Sequence, residues 1–259
     1  MVTFRNTTIV FFLLLFTLGI LGFSGFTVHI YYYILLVTVY LILSFSMSFF
    51  IRSGFHMKVP CKASIQEKIV SLTFDDGPDM ELTPKLLDHL HDLGIPVTFF
   101  CIGRKINGNK SLVKRMYLEG HIIGTHSYSH SDWFDFFSSA HMQNELEQSV
   151  FSVFDATGKI PLLFRPPYGV INPMVKRAVK QLGLQVIGFS NRAWDTSSRN
   201  KEIIADRIIR NLNPGDIILL HDTVPETIEI IKSIVEHIKQ SGYRIVPLDE
   251  LLNISAYEA

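Results

Sequence analysis

The chain predicts an α/β fold, a parallel sheet covered by helices, behind an N-terminal hairpin of two membrane helices. Three observations predict it. From residue 68 onward, short apolar runs alternate with longer amphipathic stretches, the pattern of successive β-α units. No Lys, Arg, Asp or Glu occurs between Arg5 and Arg52. The unusual polar residues, Asp75-Asp76, His126, His130, Arg165, Asp195 and His221-Asp222, nearly all follow an apolar run. In a closed parallel barrel all strand C-terminal ends open on one face, so residues 146 positions apart, such as Asp75 and His221, can meet there.

Each element follows in order. The 46 uncharged residues would extend about 69 Å as one helix, whereas a bilayer's hydrocarbon core is about 30 Å thick. Two spans are expected, 9–28 and 30–51, broken at Gly22-Phe23-Ser24-Gly25. Tyr31, Tyr32 and Tyr33 open the second span, where aromatic rings favour the headgroup level. A competing reading makes the first segment a signal peptide headed by Arg5, which still leaves one membrane helix. Residues 1–60 thus read as a membrane anchor and 61–259 as the domain it carries, in an integral protein of the cytoplasmic membrane. Arg5, Arg52, Lys58 and Lys62 flank the spans and the turn has no Lys or Arg, which places both ends on the cytoplasmic side. Four charges are a small count, so the side stays open at this stage.

Strands are expected at 69–74, 97–102, 121–124, 162–164, 184–189, 216–220 and 243–246. Helices are expected at 82–93, around 111–119, and at 139–157, 173–182, 201–212 and 225–241. Pro173 sits in a first helical turn, and Gly94, Gly158 and Gly183 follow helix ends. With 24 basic and 24 acidic side chains the net charge is zero, which gives no footprint for a nucleic-acid partner. Cys61 and Cys101 form no disulfide framework and no zinc spacing; they read as a linker thiol and a buried small hydrophobe.

Two stretches carry the chemistry. Thr73-Phe74-Asp75-Asp76-Gly77-Pro78 puts adjacent carboxylates where a strand breaks into a turn, and His126-Ser127-Tyr128-Ser129-His130 puts two imidazoles four residues apart, the spacing of one helical face. Together they supply two nitrogens, a carboxylate oxygen and a spare carboxylate, the set that holds a divalent ion with a coordination position left for water. Asp-Gly-Pro alone is good turn chemistry, and a lone His is usually structural, as His121 reads within its strand. The combination argues for a site.

Residues 68–248 resemble the polysaccharide deacetylase family, also called the NodB homology domain or carbohydrate esterase family 4. The motifs are Thr73–Pro78, His126-Ser127-x-x-His130, Arg165-Pro166-Pro167-Tyr168-Gly169, a motif around Asp195, and Leu219-Leu220-His221-Asp222. The resemblance implies a distorted (β/α)7–8 barrel and metal-dependent hydrolysis of an N-acetyl group from an amino sugar. By position it implies Asp76, His126 and His130 as metal ligands and Asp75 as general base, with Arg165 holding Asp75 through an ion pair. His221 would be the general acid, oriented by Asp195. The Tyr168 backbone N–H would serve the oxyanion, and Leu219 would shape a slot for the acetyl methyl. Asp222 is set aside as a helix cap. Zn²⁺ heads the metals that suit this donor set, with Co²⁺, Mn²⁺ and Ni²⁺ as alternatives. The chain departs from the family where many members have Asp-x-x-Asp-Trp: here Arg192 replaces the first aspartate and Thr196 the tryptophan. A basic group there favours an anionic substrate or makes a structural ion pair. Trp133, Phe134, Phe136 and Phe137 read first as core under a long loop, second as a surface for sugar or membrane.

The expected function is removal of N-acetyl groups from a glycan such as peptidoglycan or another N-acetylglucosamine polymer. The alternatives are a deacetylase or deformylase of a lipid-linked amino sugar, a non-catalytic glycan-binding protein held by membrane lipid, and amide hydrolysis of a non-sugar substrate.

Overall fold

The computed structural model describes residues 2–198 and 200–258; the outer ends of the two expected segments, Met1 and Ala259, lie outside the described residues. Helix α1 (Phe4–Phe23) turns through residues 24–29 into α2 (Ile30–Ser48). Both are long and apolar enough to cross a membrane, and neither is buried in the protein. The first starts five residues earlier than expected because Thr3 caps it, its Oγ1 accepting the Asn6 N–H at 3.2 Å. A short 3-10 turn, Ile51–Ser53, follows.

The remainder runs β1 (Ile69–Asp75), α3 (Leu82–Leu93), β2 (Thr98–Cys101), α4 (Gly103–Gly108), α5 (Lys110–Leu118), β3 (Ile122–Thr125), α6 (Ser139–Thr157), β4 (Leu163–Phe164), α7 (Pro173–Gln181), β5 (Gln185–Val186), β6 (Asn191–Arg192), α8 (Lys201–Arg210), β7 (Ile217–His221), α9 (Pro225–Gln240), β8 (Arg244–Ile245) and α10 (Leu248–Leu252). The helix expected around 111–119 is α5, and α4, separated from it by Asn109, was not anticipated. The run 184–189 yields only the two-residue β5, and β6 was not anticipated.

All pairings among the named strands are parallel, in the order β5-β4-β3-β2-β1-β7-β6, with β8 pairing the start of β1. Strands β5 and β6 end opposite edges of this order, yet only residues 187–190 separate them. The Ile187 N–H still bonds the Phe164 carbonyl on one edge, and the Ser190 N–H bonds the Ile217 carbonyl on the other. Four residues reach roughly 14 Å at most, so the sheet must curl until this segment bridges its edges. The result is a curled half-barrel, as the distorted-barrel expectation required.

Period-two alternation then sorts the side chains. Val70, Leu72, Phe74, Phe99, Ile218 and Leu220 join the core shared with the outer helices, alongside Leu86, Leu90, Ile231 and Ile234. Phe100, Leu163, Ile187 and Ile217 fill the interior, plugged from below by Leu248 and Leu251. Every residue from Val70 to Asp75 is buried, which explains why β1 reads as a strand without polar alternation. Among the described residues, Ile51 and Cys61 pack into the barrel's third core with Phe164 and Val186, so the segment after α2 is fastened to the domain.

Candidate active site

The site forms where β1, β3, β4 and β7 end. Strand register does most of the placing: Asp75 pairs directly with His221 on β7, and Thr125, the residue before His126, pairs with Phe164, the residue before Arg165. Neighbouring strands lie about 4.8 Å apart, so motifs far apart in sequence become neighbours.

After Asp75 the chain turns sharply. Asp76 takes φ +75°, in the left-handed region that favours glycine, and Lys105 Nζ holds its carbonyl at 2.8 Å. Residues 126–130 are a loop rather than the helical face expected from their spacing, with Ser127 at φ +60° and His130 at φ +48°. The loop is sewn down on three sides. The Gly103 and Arg104 N–H groups bond the Ser127 and Tyr128 carbonyls, each at 3.0 Å. The His130 N–H bonds Ser127 Oγ at 3.0 Å, and buried Glu145 on α6 accepts the Ser129 N–H and hydroxyl, both at 2.9 Å. Of six non-glycine residues with positive φ among the described residues, five (Asp76, Ser127, His130, Tyr168 and Trp194) lie in the loops at this end of the barrel. Strain concentrates where side-chain direction matters.

Asp76 Oδ1 lies 3.3 Å from His130 Nε2 and 3.5 Å from His126 Nε2. These three residues form a cluster able to hold a metal ion. Around a tetrahedral ion with bonds near 2.0–2.1 Å, donor atoms lie about 3.4 Å apart, so the spacing fits. The tautomer fits too. His126 Nδ1 donates to the Arg165 carbonyl at 2.7 Å, leaving a lone pair on Nε2 aimed at the Asp76 carboxylate. In that neutral form Nε2 is free to bind a metal ion, whereas a proton there would pair it with Asp76 instead. Burial opposes ionisation of Asp76, but the attraction of His126, then His221 and His130, holds its carboxyl well below the usual range. Burial, then the neighbouring His126, pushes His130 down.

Asp75 is buried and points into the barrel. Arg165 Nη1 donates to its Oδ1 at 2.8 Å and to Thr73 Oγ1 at 2.8 Å, and Nη2 donates to the Gly188 carbonyl at 2.8 Å. The guanidinium lies 4.1 Å above the Phe100 ring. Arg165 thus ties β1 to the segment that closes the sheet. Asp75 Oδ2 stays open toward the pocket, 3.9 Å from His126 Nε2.

His221 donates through Nδ1 to Asp195 Oδ1 at 2.8 Å. Asp195 Oδ2 accepts the His221 N–H and the Thr227 hydroxyl, each at 2.8 Å. Burial works against charge on His221, but Asp195, then Asp75 and Asp76, raises it above its ordinary value. Burial likewise opposes ionisation of Asp195, and the His221 bond lowers it.

A pocket of about 180 Å³ gathers Asp75, Asp76, His126, His130, Arg165, Tyr168, Leu219 and His221. Asp195 stands behind His221. All nine residues singled out in the sequence therefore meet. Tyr168, at φ +59°, lays its ring edge-on to His130 at 5.1 Å and donates its hydroxyl to Asp132 at 3.0 Å. Asp222 is no helix cap. It is buried against Gly77, accepts the Thr83 hydroxyl at 2.6 Å, and burial pushes its carboxyl up to about 7. The aromatic run divides: Phe134 is buried, whereas Trp133 and Phe136 are about two-thirds exposed (69% and 66%). His121 is buried, accepting the Val97 N–H through Nδ1 at 3.3 Å, as its structural reading required. Thr73, Glu145 and Thr227 were not singled out. Thr73 lay in plain sight in the first motif, but nothing local marks a glutamate sixteen residues beyond Ser129 as its anchor.

A parallel curled barrel with two carboxylates and three imidazoles at its strand ends defines a hydrolase scaffold of one known kind. The family model for polysaccharide deacetylase matches residues 62–187. A peptidoglycan-N-acetylglucosamine deacetylase of Bacillus cereus is 37% identical over 197 residues, covering 72% of this chain and 89% of that protein. The peptidoglycan-N-acetylmuramic acid deacetylase PdaA of Bacillus subtilis is 35% identical, covering 72% of each. The solved structure of the Bc1960 peptidoglycan N-acetylglucosamine deacetylase superposes with a TM-score of 0.73 at 30% identity, covering 77% of this chain and 95% of that one. The chain belongs to the polysaccharide deacetylase family.

Proposed function

We propose that this protein is a membrane-anchored N-deacetylase that uses a divalent metal ion to hydrolyse acetamido groups of amino sugars in a peptidoglycan-type glycan. The observation that carries the reading is the convergence of Asp75, the Asp76–His126–His130 cluster and His221 in one pocket. The relatives named above supply the substrate class. Residues 1–60 would be the anchor, with α1 and α2 as spans in membrane lipid, and 61–259 the catalytic domain.

Asp76, His126 and His130 would hold the ion, Zn²⁺ by preference for two imidazoles and a carboxylate, with Co²⁺, Mn²⁺ or Ni²⁺ as substitutes. When bound, the ion supplies Lewis-acid polarisation of the acetamido carbonyl and makes water acidic enough to lose a proton near neutral pH. Asp75 takes that proton on Oδ2, because Arg165 occupies Oδ1. The Tyr168 backbone N–H assists the developing oxyanion. His221, kept protonated on Nε2 by Asp195 behind it, delivers a proton to the leaving amine. Leu219, buried in the pocket wall, leaves an apolar place for the acetyl methyl.

The test is acetate release from N-acetylglucosamine oligomers by the full chain in detergent, with and without chelator. Chelator-sensitive release, restored by metal, is the expected result. Release unaffected by chelator overturns the metal role, and bound metal without release from any acetylated glycan overturns the activity.

A further inference from the structure

A second cleft, of about 550 Å³, lies between the end of α2 and the barrel. Phe189 and Arg192 line both this cleft and the catalytic pocket, so the two adjoin. Phe49 and Phe50, the first residues beyond α2, line its outer end. The cleft therefore begins where the apolar hairpin stops and borders the catalytic pocket at Phe189 and Arg192.

Its charge is one-sided. Arg52, Lys62 and Arg192 face it, against one carboxylate, Asp216. Asp216 is already engaged: it is buried, Oδ1 accepts the Ser190 hydroxyl and Oδ2 the Asn213 N–H, both at 2.7 Å, and Lys62 Nζ stands 3.4 Å from Oδ1. Two positive charges remain in excess. Arg52 is held in place by the Phe189 carbonyl, 3.1 Å from its Nε, and by the Ser190 carbonyl. The Arg192 guanidinium carbon sits over the Trp194 ring, 4.0 Å from its centroid, and Nε is buried without a hydrogen-bond partner among the described residues. A buried guanidinium N–H lacking an acceptor is unfavourable until an acceptor arrives. Arg192 is also the residue that replaces the aspartate of the commoner family motif. It makes no ion pair among the described residues; its contacts there are the Trp194 and Phe189 rings.

We propose that this cleft binds an anionic group, a phosphate or a carboxylate, carried by the substrate beside the acetylated sugar. This rests on the deacetylase reading and sharpens it: the preferred substrate is an acidic amino-sugar compound met close to the membrane surface, not a neutral N-acetylglucosamine polymer. The anion has two sources, a muramyl carboxylate on a glycan strand or the diphosphate of a lipid-linked sugar.

The experiment measures KM and kcat for the metal-loaded full chain in detergent on three substrates. They are the neutral N-acetylglucosamine tetramer, a peptidoglycan-derived tetrasaccharide with free muramyl carboxylates, and polyprenyl-diphosphate-linked N-acetylglucosamine. At least one acidic substrate should show a KM about tenfold below the neutral one, the size of one charged hydrogen bond. That gap should narrow as salt rises from about 0.05 to 0.5 M. Which acidic substrate gains identifies the source. Lys62→Gln and Arg192→Gln should each pull the acidic-to-neutral KM ratio toward one. Equal KM values on all three at low salt overturn the proposal, and the wild-type salt series decides it even if a variant fails to fold. Variants that shift acidic and neutral substrates equally also overturn it. Release from none of the three defeats the deacetylase reading itself, whereas release from all three at equal KM defeats only the anion site.

Discussion

Arg165→Met should be among the most damaging substitutions in this chain, for a reason that can be measured apart from activity. The side chain is 1% exposed and Asp75 4% exposed. Removing the guanidinium strands a buried carboxylate, takes away the Gly188 carbonyl's side-chain donor, and leaves Thr73 Oγ1 only the bond it donates to the Ile218 carbonyl. Breaking a buried pair by deleting one partner costs about 3–5 kcal/mol. Asp75→Asn alone leaves the cation buried beside a neutral amide and should cost less, about 1–3 kcal/mol. The double variant removes both charges, so its loss should fall short of the sum by about 2 kcal/mol, within the range seen for residues in contact. The assay is urea unfolding of the full chain in detergent, followed by tryptophan fluorescence. Both tryptophans, Trp133 and Trp194, lie outside the apolar hairpin, so the signal reports the barrel. Chelator in every sample removes the contribution of metal binding to stability. Strict additivity of the two losses would refute the ion pair as the element that ties β1 to the closing segment.

Three further outcomes follow from the same geometry. His221 has a raised pKa and, as the proposed general acid, would act protonated, so kcat should fall with rising pH only above the ordinary histidine value of about 6.5. Asp195→Asn removes the main raising influence and should move that alkaline limb to lower pH; an unmoved limb would dissociate the pair from catalysis. Gly77→Ala should destabilise by about 1–3 kcal/mol, because a Cβ there would stand 2.0 Å from the buried Asp222 carboxylate, and Asp222→Ala should relieve part of the loss. Tyr168→Phe should change kcat/KM by less than about tenfold, roughly 1.4 kcal/mol, since among the described residues the hydroxyl bonds Asp132 alone; burial, then that bond, lifts its pKa to about 12.

Much of this site could be read before any coordinates. The residues carrying chemistry end buried strands, and a parallel sheet gathers strand ends whatever the sequence distance. What local pattern could not show is how the barrel closes. β5 and β6 are two residues each, bridged by Ile187–Ser190, and their ladder depends on edges contributed by Phe164 and Ile217. A continuous apolar run at 184–189 gives no sign that the strand changes edges midway. The histidine spacing misled in a similar way. Four residues fit a helical face, but Ser127 and His130 adopt positive φ because Glu145 and α4 hold the loop from outside. The cationic cleft was half visible. Arg192 stood out against the family motif, whereas Arg52 and Lys62 became relevant only once the segment after α2 packed against Phe189 and Ser190.

The central claim is that two adjacent aspartates do different work, Asp76 binding the ion and Asp75 taking the proton. Bound metal per chain and acetate release, measured side by side for Asp75→Asn and Asp76→Asn, test it most directly. Asp75→Asn should keep about one ion and lose about a hundredfold or more in kcat, whereas Asp76→Asn should lose both. Asp75→Asn that releases its metal, or that keeps its activity, would contradict the assignment.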